Sequence, residues 1–288
     1  GEGAPLLLLE NVAAITSICL NDVIAALDDA LYDVRWDVLR CSDLGAPHER
    51  ARWFALCMKR DLSASARERL SRVMLHPASV DDVRRAAHDF GWDGEWPTDT
   101  PRLTSDEATP DWKRMLFSLG NAVSPFCARA AWEHLMHAGV GGGEPVSVLE
   151  AWQRAAAHCV GGALRRTGMA VTAARAGALV DGNVYLRPAM PPRAPIWKPI
   201  TLVPPPDTPR ENKVPKLRRP VKKRLFGTAR RSNWFISTGC LTERTMNDTG
   251  QQIYHERDTD KRHPPGRPRV NPDFIHFFMG YPARWTAV

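Results

Sequence analysis

The sequence lacks the features that mark several classes of protein. No apolar run reaches the roughly 18 residues of a transmembrane helix, so we expect no membrane span. The six cysteines are scattered with no CxxC spacing, and the nine histidines show no ligand spacing, so neither a metal site nor a disulfide framework is predicted. The first residues are not basic, and no small-residue cleavage site follows them. These absences predict a protein that is not secreted, in a cytoplasmic, nuclear or viral setting.

Positive charge is concentrated in one segment. The net charge of the chain is +7, but residues 193–231 alone hold 12 Lys and Arg against Asp207 and Glu211. That segment therefore carries +10, which leaves −3 for the remainder. Residues 188–220 also contain eleven prolines, too many for a packed element. The basic, proline-rich arm (residues 188–231) attracts polyanions, nucleic acid above all, although a solvated linker is the alternative. The candidates for DNA contact in the arm are Lys213, Lys216, Arg218, Arg219, Lys222, Lys223 and Arg224.

The chain opens on an unbroken apolar run that ends in a carboxylate. Four leucines, residues 6–9, precede Glu10. Such a run is typical of a strand buried on both faces, as in a parallel sheet, with Glu10 at its carboxyl end. Ligands bind at that edge of open α/β sheets. Because burying a glutamate without a partner is costly, Glu10 is either paired structurally or held there for chemistry.

Periodicity places the other elements. Alternation predicts a hairpin of strands over 32–41 and 52–58, with Arg50 and Arg52 alternating along the second strand towards one face. Exposed arginine is common, so a plain surface role for both is the alternative. Helices are predicted after Asn21–Asp22, over 63–76, from a capping box at Ser79 to Phe90, over 112–119, over 127–137 after Pro125, and from Asn271–Pro272 to Gly280. A small helix with short strands is predicted over 146–187, after a glycine-rich hinge at 139–143.

Three separated motifs carry a resemblance. They are Glu10-Asn11-Val12, then Gly45-Ala46-Pro47-His48-Glu49-Arg50-Ala51-Arg52, then Gly120-Asn121-Ala122-Val123. In this order they resemble the ENV, GxPQxRxR and GNAV motifs of the DNA (cytosine-5)-methyltransferase family. The ending, Asn271-Pro272-Asp273-Phe274 and Met279-Gly280-Tyr281-Pro282, resembles the phage- and virus-type members. The Phe274, Phe277 and Phe278 spacing is that of a buried helical face, so we expect core rather than a base-stacking platform.

The resemblance implies roles for individual residues. Glu10 would hydrogen-bond N3 of a cytosine flipped out of double-stranded DNA, and Arg52 would hold its O2. Arg50 would lie near DNA phosphate or the active-site loop. Gly120, Asn121 and Val123 would border the pocket of the methyl donor, S-adenosylmethionine. A plain helix cap is the alternative for Asn121.

The chain also departs from the family pattern. The FxGxG cofactor loop and the Pro-Cys nucleophile motif, both normally upstream of ENV, are absent, and His48 stands where glutamine is usual. We therefore expect an N-terminal truncation, or a separate chain that carries the missing N-terminal half, and no methyl transfer by the isolated chain. A catalytically inactive DNA-binding module is the alternative, and an unrelated α/β protein with chance motifs is a third reading.

The expected fold class is α/β. Residues 1–140 would form the C-terminal half of a Rossmann-like methyltransferase sheet. Residues 141–288 would form a smaller, irregular α+β recognition domain that includes the basic arm.

Overall fold

The computed structural model describes residues 3–46, 48–76, 79–92, 103–104, 111–137, 144–159, 163–166, 174–187, 269–282 and 285. The basic arm and the glycine-rich hinge lie outside these residues. The chain divides into two compact units, each built from separate stretches. The first unit is 1–45, 50–90 and 123–194, and the second is 46–49, 91–122 and 195–288. Neither unit coincides with 1–140 or 141–288, and the recognition role of 141–288 remains a prediction.

The described strands and helices have the following bounds. The strands are β1 (Leu6–Val12), β2 (Tyr32–Arg40), β3 (Ala51–Lys59), β4 (Met74–Leu75), β5 (Leu103–Thr104), β6 (Val146–Ser147), β7 (Ala163–Arg166), β8 (Ala176–Val180), β9 (Asn183–Arg187) and β10 (Arg269–Val270). The helices are α1 (Ile15–Ile18), α2 (Leu20–Asp29), α3 (Ala64–Arg72), α4 (Val80–Ala87), α5 (Trp112–Asn121), α6 (Pro125–His137), α7 (Val148–Cys159) and α8 (Pro272–Met279). A short 3₁₀ helix, Cys41–Leu44, follows β2.

The main sheet of the first unit has the order β1-β3-β2-β8-β9-β7. Each pairing is antiparallel. The expectation of a parallel strand buried on both faces is therefore wrong for β1, which lies at the edge of the described sheet with its residues half-buried or exposed. Glu10 also lies inside β1 rather than at its end, because pairing with β3 continues to Val12. An apolar run alone does not distinguish a central strand from an edge strand.

Helices cover both faces of this sheet. On one face Val34, Trp36 and Val38 pack with Trp53 and the residues of α1 and α2 in one apolar cluster. Gly177 of β8 is required there, because a Cβ atom at this position would collide with the Trp36 ring. This packing gives a mixed α/β architecture with a mostly antiparallel sheet.

The opposite face carries polar groups under helices. Arg35 lies over the Trp152 ring of α7, 6.0 Å from its centroid. Asp37 accepts a hydrogen bond from Val38 N at 2.6 Å and pairs with His134 of α6 at 2.8 Å. Both β2 side chains are almost fully buried. Buried charges of this kind are tolerated because each one has a partner.

Most predicted elements occur, with shifted ends. The hairpin is confirmed as β2 and β3. The capping box at Ser79 is confirmed, since Ser79 and Asp82 exchange hydrogen bonds as predicted. The helix after β1 begins at Leu20 instead of after a cap at Asn21–Asp22. The helix predicted over 63–76 is shorter, Ala64–Arg72, because Met74 and Leu75 form β4 with β6.

The second unit has its own apolar cluster around α5 and α8. Phe274 and Phe278 are almost fully buried and pack with Leu119, as expected from their spacing. Asn271 caps α8 by accepting a hydrogen bond from Asp273 N, and Pro272 occupies the first turn. Strand β10 pairs with β5 immediately before this helix.

Candidate active site

Glu10 and Arg52 meet on one face of the first unit. Glu10 lies directly opposite Phe54, and Arg52 lies opposite Val12, so the two side chains are diagonal neighbours on adjacent strands. Arg52 Nε approaches Glu10 Oε1 at 2.9 Å, and Arg52 Nη1 donates to Ala51 O at 3.0 Å. The Arg52 side chain is 15% exposed, and the Glu10 side chain is 31% exposed. The pair is therefore ordered by the sheet and still open to solvent on one side.

This arrangement can bind a planar polar group. A guanidinium has five N–H donors in a fixed fork, and the two contacts of Arg52 use only part of them. Glu10 offers a second carboxylate oxygen as an acceptor, or a donor when protonated. A ring with adjacent acceptor and donor atoms could meet both residues at once.

Arg50 does not lie on the strand. Strand β3 begins at Ala51, and Arg50 precedes it with φ of 31°, in the left-handed region. Its side chain is 1% exposed. The expectation that Arg50 and Arg52 alternate along one strand is therefore wrong. A contact between Arg50 and DNA phosphate, as predicted, would require this side chain to become exposed.

A buried thiol pair lies close to these arginines. Cys41 and Cys127 are both fully buried and are joined by a side-chain hydrogen bond. That bond, with the nearby charges of Arg50 and Arg52, lowers the pKa of the Cys41 thiol. The same bond and burial raise the pKa of Cys127.

Sequence analysis identified neither this pair nor the Asp37–His134 pair. The partners in each are far apart in the chain, and no local spacing signals them. Only the packing of α6 on β2 and on the 3₁₀ helix brings them together.

The predicted cofactor residues lie around the end of α5. Gly120 and Asn121 are the last two residues of this helix in the second unit, and Asn121 is exposed. Asn121 does not cap α6, since α6 begins at Pro125 and Ala128 N bonds to Ser124 O at 2.9 Å. Val123 is half-buried in the first unit. Their approach to a cofactor, and to Glu10, stays a prediction.

The seven basic residues proposed for DNA contact lie in the arm, outside the described residues. Within the described ranges, no three or more His, Cys, Asp or Glu side chains are grouped to hold a metal ion. Each helix in those ranges is too short or too polar to cross a bilayer.

Comparison with known proteins gives a family match over the N-terminal stretch of the chain. Residues 4–92 match the family model described as C-5 cytosine-specific DNA methylase. The resemblance drawn from the motifs is confirmed over that stretch, which contains Glu10, Arg50 and Arg52. The match covers less than a third of the chain, and over that stretch the chain is similar to the DNA (cytosine-5)-methyltransferase family. No curated protein and no solved structure matches the chain.

Proposed function

We propose that this chain is a portion or subunit of a DNA (cytosine-5)-methyltransferase, in which Glu10 and Arg52 hold a flipped cytosine. The observation that carries the proposal is their 2.9 Å ion pair on neighbouring strands, within the stretch that matches the family. The assignment to the phage and virus type rests on residues 269–285 alone and is part of the same proposal.

The pair supplies what the chemistry of this family requires. A thiolate adds to carbon 6 of cytosine, and negative charge then develops towards N3 and O2. Once the Glu10 carboxylate has taken up a proton from solvent, a hydrogen bond from it to N3, together with donors from Arg52 to O2, would stabilise that charge. The ion pair keeps both groups in register before the base arrives, which lowers the cost of ordering them. The base must first leave the duplex, at a cost of a few kcal/mol.

S-adenosylmethionine supplies the methyl group in this family. Gly120, Asn121 and Val123 offer one exposed amide and main-chain groups, too few to hold such a cofactor by themselves. The glycine-rich loop that normally does so is not in this sequence. We therefore expect the main contacts of the cofactor to come from another segment.

The edge of β1 is where that segment would join. Among the described strands, β1 has only β3 as a neighbour. Its sequence has neither proline nor lysine, the usual protections of a free edge, and its one charge is paired with Arg52. Leu8 and Val12 are 39% and 50% exposed, and Ile18 just beyond is 76% exposed. We propose that a segment with the cofactor loop and the nucleophile, in the same or a separate chain, adds to this edge and completes a Rossmann-like sheet.

The test compares the Glu10→Gln and Glu68→Gln variants of the chain reconstituted with such a segment. Glu68 is an exposed carboxylate on α3 that pairs with Arg72, so it matches Glu10 in charge and in partner but lies outside the site. We expect Glu10→Gln to slow methyl transfer to duplex DNA about 100-fold or more, with DNA affinity changed far less. Glu68→Gln should leave both unchanged.

Three outcomes would change the proposal. Equal loss of binding and transfer in Glu10→Gln would remove the catalytic role of Glu10. If the wild-type chain binds DNA but gives no methyl transfer with any upstream segment, the catalytically inactive DNA-binding module is favoured. The missing Pro-Cys motif is also consistent with that alternative. Methyl transfer by the isolated chain would show that a nucleophile other than that motif operates.

The basic arm has a separate test. Replacing Lys213, Lys216, Arg218 and Arg219 by glutamine should flatten the dependence of DNA affinity on salt, because each lost phosphate contact removes about 0.9 from the log–log slope. An unchanged slope would mean that the arm does not contact phosphate.

A further inference from the structure

Two side chains cap the last turn of α8. The C-terminal carbonyls of a helix have no partner within the helix. Here Trp92 Nε1 donates to Phe277 O at 2.9 Å, and His48 Nε2 lies 2.7 Å from Phe278 O. Gly280, in the left-handed region, completes the cap, with Tyr281 N bonded to His276 O. Both capping residues are almost fully buried in the second unit.

His48 is fixed by more than this bond. Because a carbonyl oxygen can only accept, Nε2 of His48 must carry the proton. The imidazole also stacks on Phe278, with 4.6 Å between ring centroids, and lies edge-on to Trp92 at 6.1 Å. A donor near the end of a helix is further favoured by the helix dipole.

The loop that contains His48 has an unusual backbone at both ends. Gly45 has φ of 94°, and Arg50 has φ of 31°. For arginine such a value is strained and persists only where the surroundings impose it. Glu49 alone separates His48 from Arg50, and Arg52 follows two residues later. An anchor at His48 therefore restricts the conformations open to both arginines.

We propose that His48 is a positioning residue: its bond to the end of α8 restrains the backbone of residues 48 and 49, and this restraint passes along the chain to Arg50 and Arg52, which follow directly. His48 stands where the motif usually has glutamine, and a glutamine amide could make the same donation. This inference rests on the proposed function for its catalytic consequence, but not for its structural one.

Three variants of the full chain separate anchoring from general stability. His48→Phe keeps an aromatic ring against Phe278 and loses the donor. His48→Gln keeps a donor and loses the ring. Trp92→Phe removes the other bond to the same helix end but keeps an aromatic ring beside His48, so the bond from His48 to Phe278 O can remain, which makes it the control for loss of the helix cap in general.

Hydrogen exchange measured by mass spectrometry tests, without DNA, whether His48 restrains the backbone of the residues that follow it. We expect exchange in a peptide spanning residues 49–53 to be at least about tenfold faster in His48→Phe, and close to wild type in His48→Gln and Trp92→Phe. Peptides covering the end of α8 should exchange faster in both phenylalanine variants. Equal exchange at 49–53 in wild type and His48→Phe would overturn the proposal. If His48→Phe does not fold, His48→Leu, which also lacks the donor, takes its place, and exchange at 49–53 equal to that of wild type would overturn the proposal.

The catalytic consequence is tested by measuring the rate of methyl transfer by the reconstituted enzyme. His48→Phe should lower kcat about tenfold or more with little change in KM, and His48→Gln should restore most of the rate. Trp92→Phe should stay within about twofold of wild type. Faster exchange at 49–53 together with an unchanged kcat would overturn the positioning role. Failure of the proposed function differs from this, since wild-type chain would then give no methyl transfer with an upstream segment, whereas the exchange result at 49–53 would be unaffected.

Discussion

The centre and the edge of the main sheet are built from similarly apolar segments but have different environments. The middle residues of β3, from Trp53 to Met58, are all buried, because β1 and β2 flank this strand. Strand β1 has four consecutive leucines, yet all four are half-buried or exposed. The difference shows that composition selects a strand, whereas its neighbours decide what that strand can bury. It also explains why the edge, rather than the centre, holds the accessible carboxylate Glu10.

The largest expected contrast is between two leucines that face each other across the β1–β3 pairing. Leu56 is fully buried and Leu8, its partner in register, is 39% exposed. We expect Leu56→Ala to lower the free energy of unfolding by about 2–5 kcal/mol, since it leaves a cavity that cannot fully collapse. Leu8→Ala should cost under about 1 kcal/mol.

Urea denaturation of both variants measures this contrast. Similar losses would mean that the Leu8 side chain is covered in solution, as it would be if another strand added to β1. Strand β1 would then be a central strand like β3 rather than an edge strand. The proposed partner segment would have to be present in the sample.

A smaller contrast is expected between a buried hydrogen-bonded pair and an exposed ion pair. The Asp37–His134 pair joins the sheet centre to α6, with Asp37 4% exposed, whereas Arg72 and Glu68 on α3 are 76% and 61% exposed. His134→Ala leaves the buried Asp37 carboxylate with only the hydrogen bond from Val38 N among its described contacts and should cost about 1–3 kcal/mol. Arg72→Ala should cost about 0.5 kcal/mol or less. Thermal unfolding of the two variants checks this, and equal costs would show that Asp37 finds water or another donor.

Elements could be predicted from the sequence where a short local pattern is compatible with only one structure. Alternation gave the β2–β3 hairpin, the Ser79 and Asp82 pair gave a capped helix, and Asn271–Pro272 with Gly280 gave the bounds of α8. In each case the determinant lies within a few residues, where local sterics and hydrogen bonds act.

Features that depend on distant partners were not predictable in the same way. The edge position of β1 depends on which strands pair with it, and the left-handed Arg50 depends on its buried surroundings. At the candidate site, motif order pointed to Glu10 and Arg52, and their ion pair brings them together as one group. The Cys41–Cys127 contact and the His48 anchor carry no local signal, because their partners lie far away in the chain.

The smallest expected effect is a pH dependence that arises on α6. Partial burial is the main cause that raises the pKa of Glu133 from 4.5 to about 7; nearby Arg129 opposes this shift and Asp82 adds to it. Because the folded state binds this proton more tightly than the unfolded state, the stability it contributes is complete below pH 4.5 and is lost as the pH rises to about 7. Glu133→Gln should therefore be more stable than wild type above pH 7 and gain nothing near pH 4.

The pH dependence of stability that arises at Asp82, in the first turn of α4, has the opposite sign. Hydrogen bonds from the Ser79 backbone and hydroxyl lower the pKa of this exposed carboxyl, so its contribution is present above pH 3.8 and is lost as the pH falls further. Asp82→Asn should therefore lose stability at neutral pH but not at strongly acidic pH. Thermal unfolding of both variants between pH 3 and pH 9 measures the two slopes. If Glu133→Gln follows the wild-type curve throughout, water reaches that carboxylate, and α6 is packed less tightly than the burial of its neighbours Leu135 and Met136 indicates.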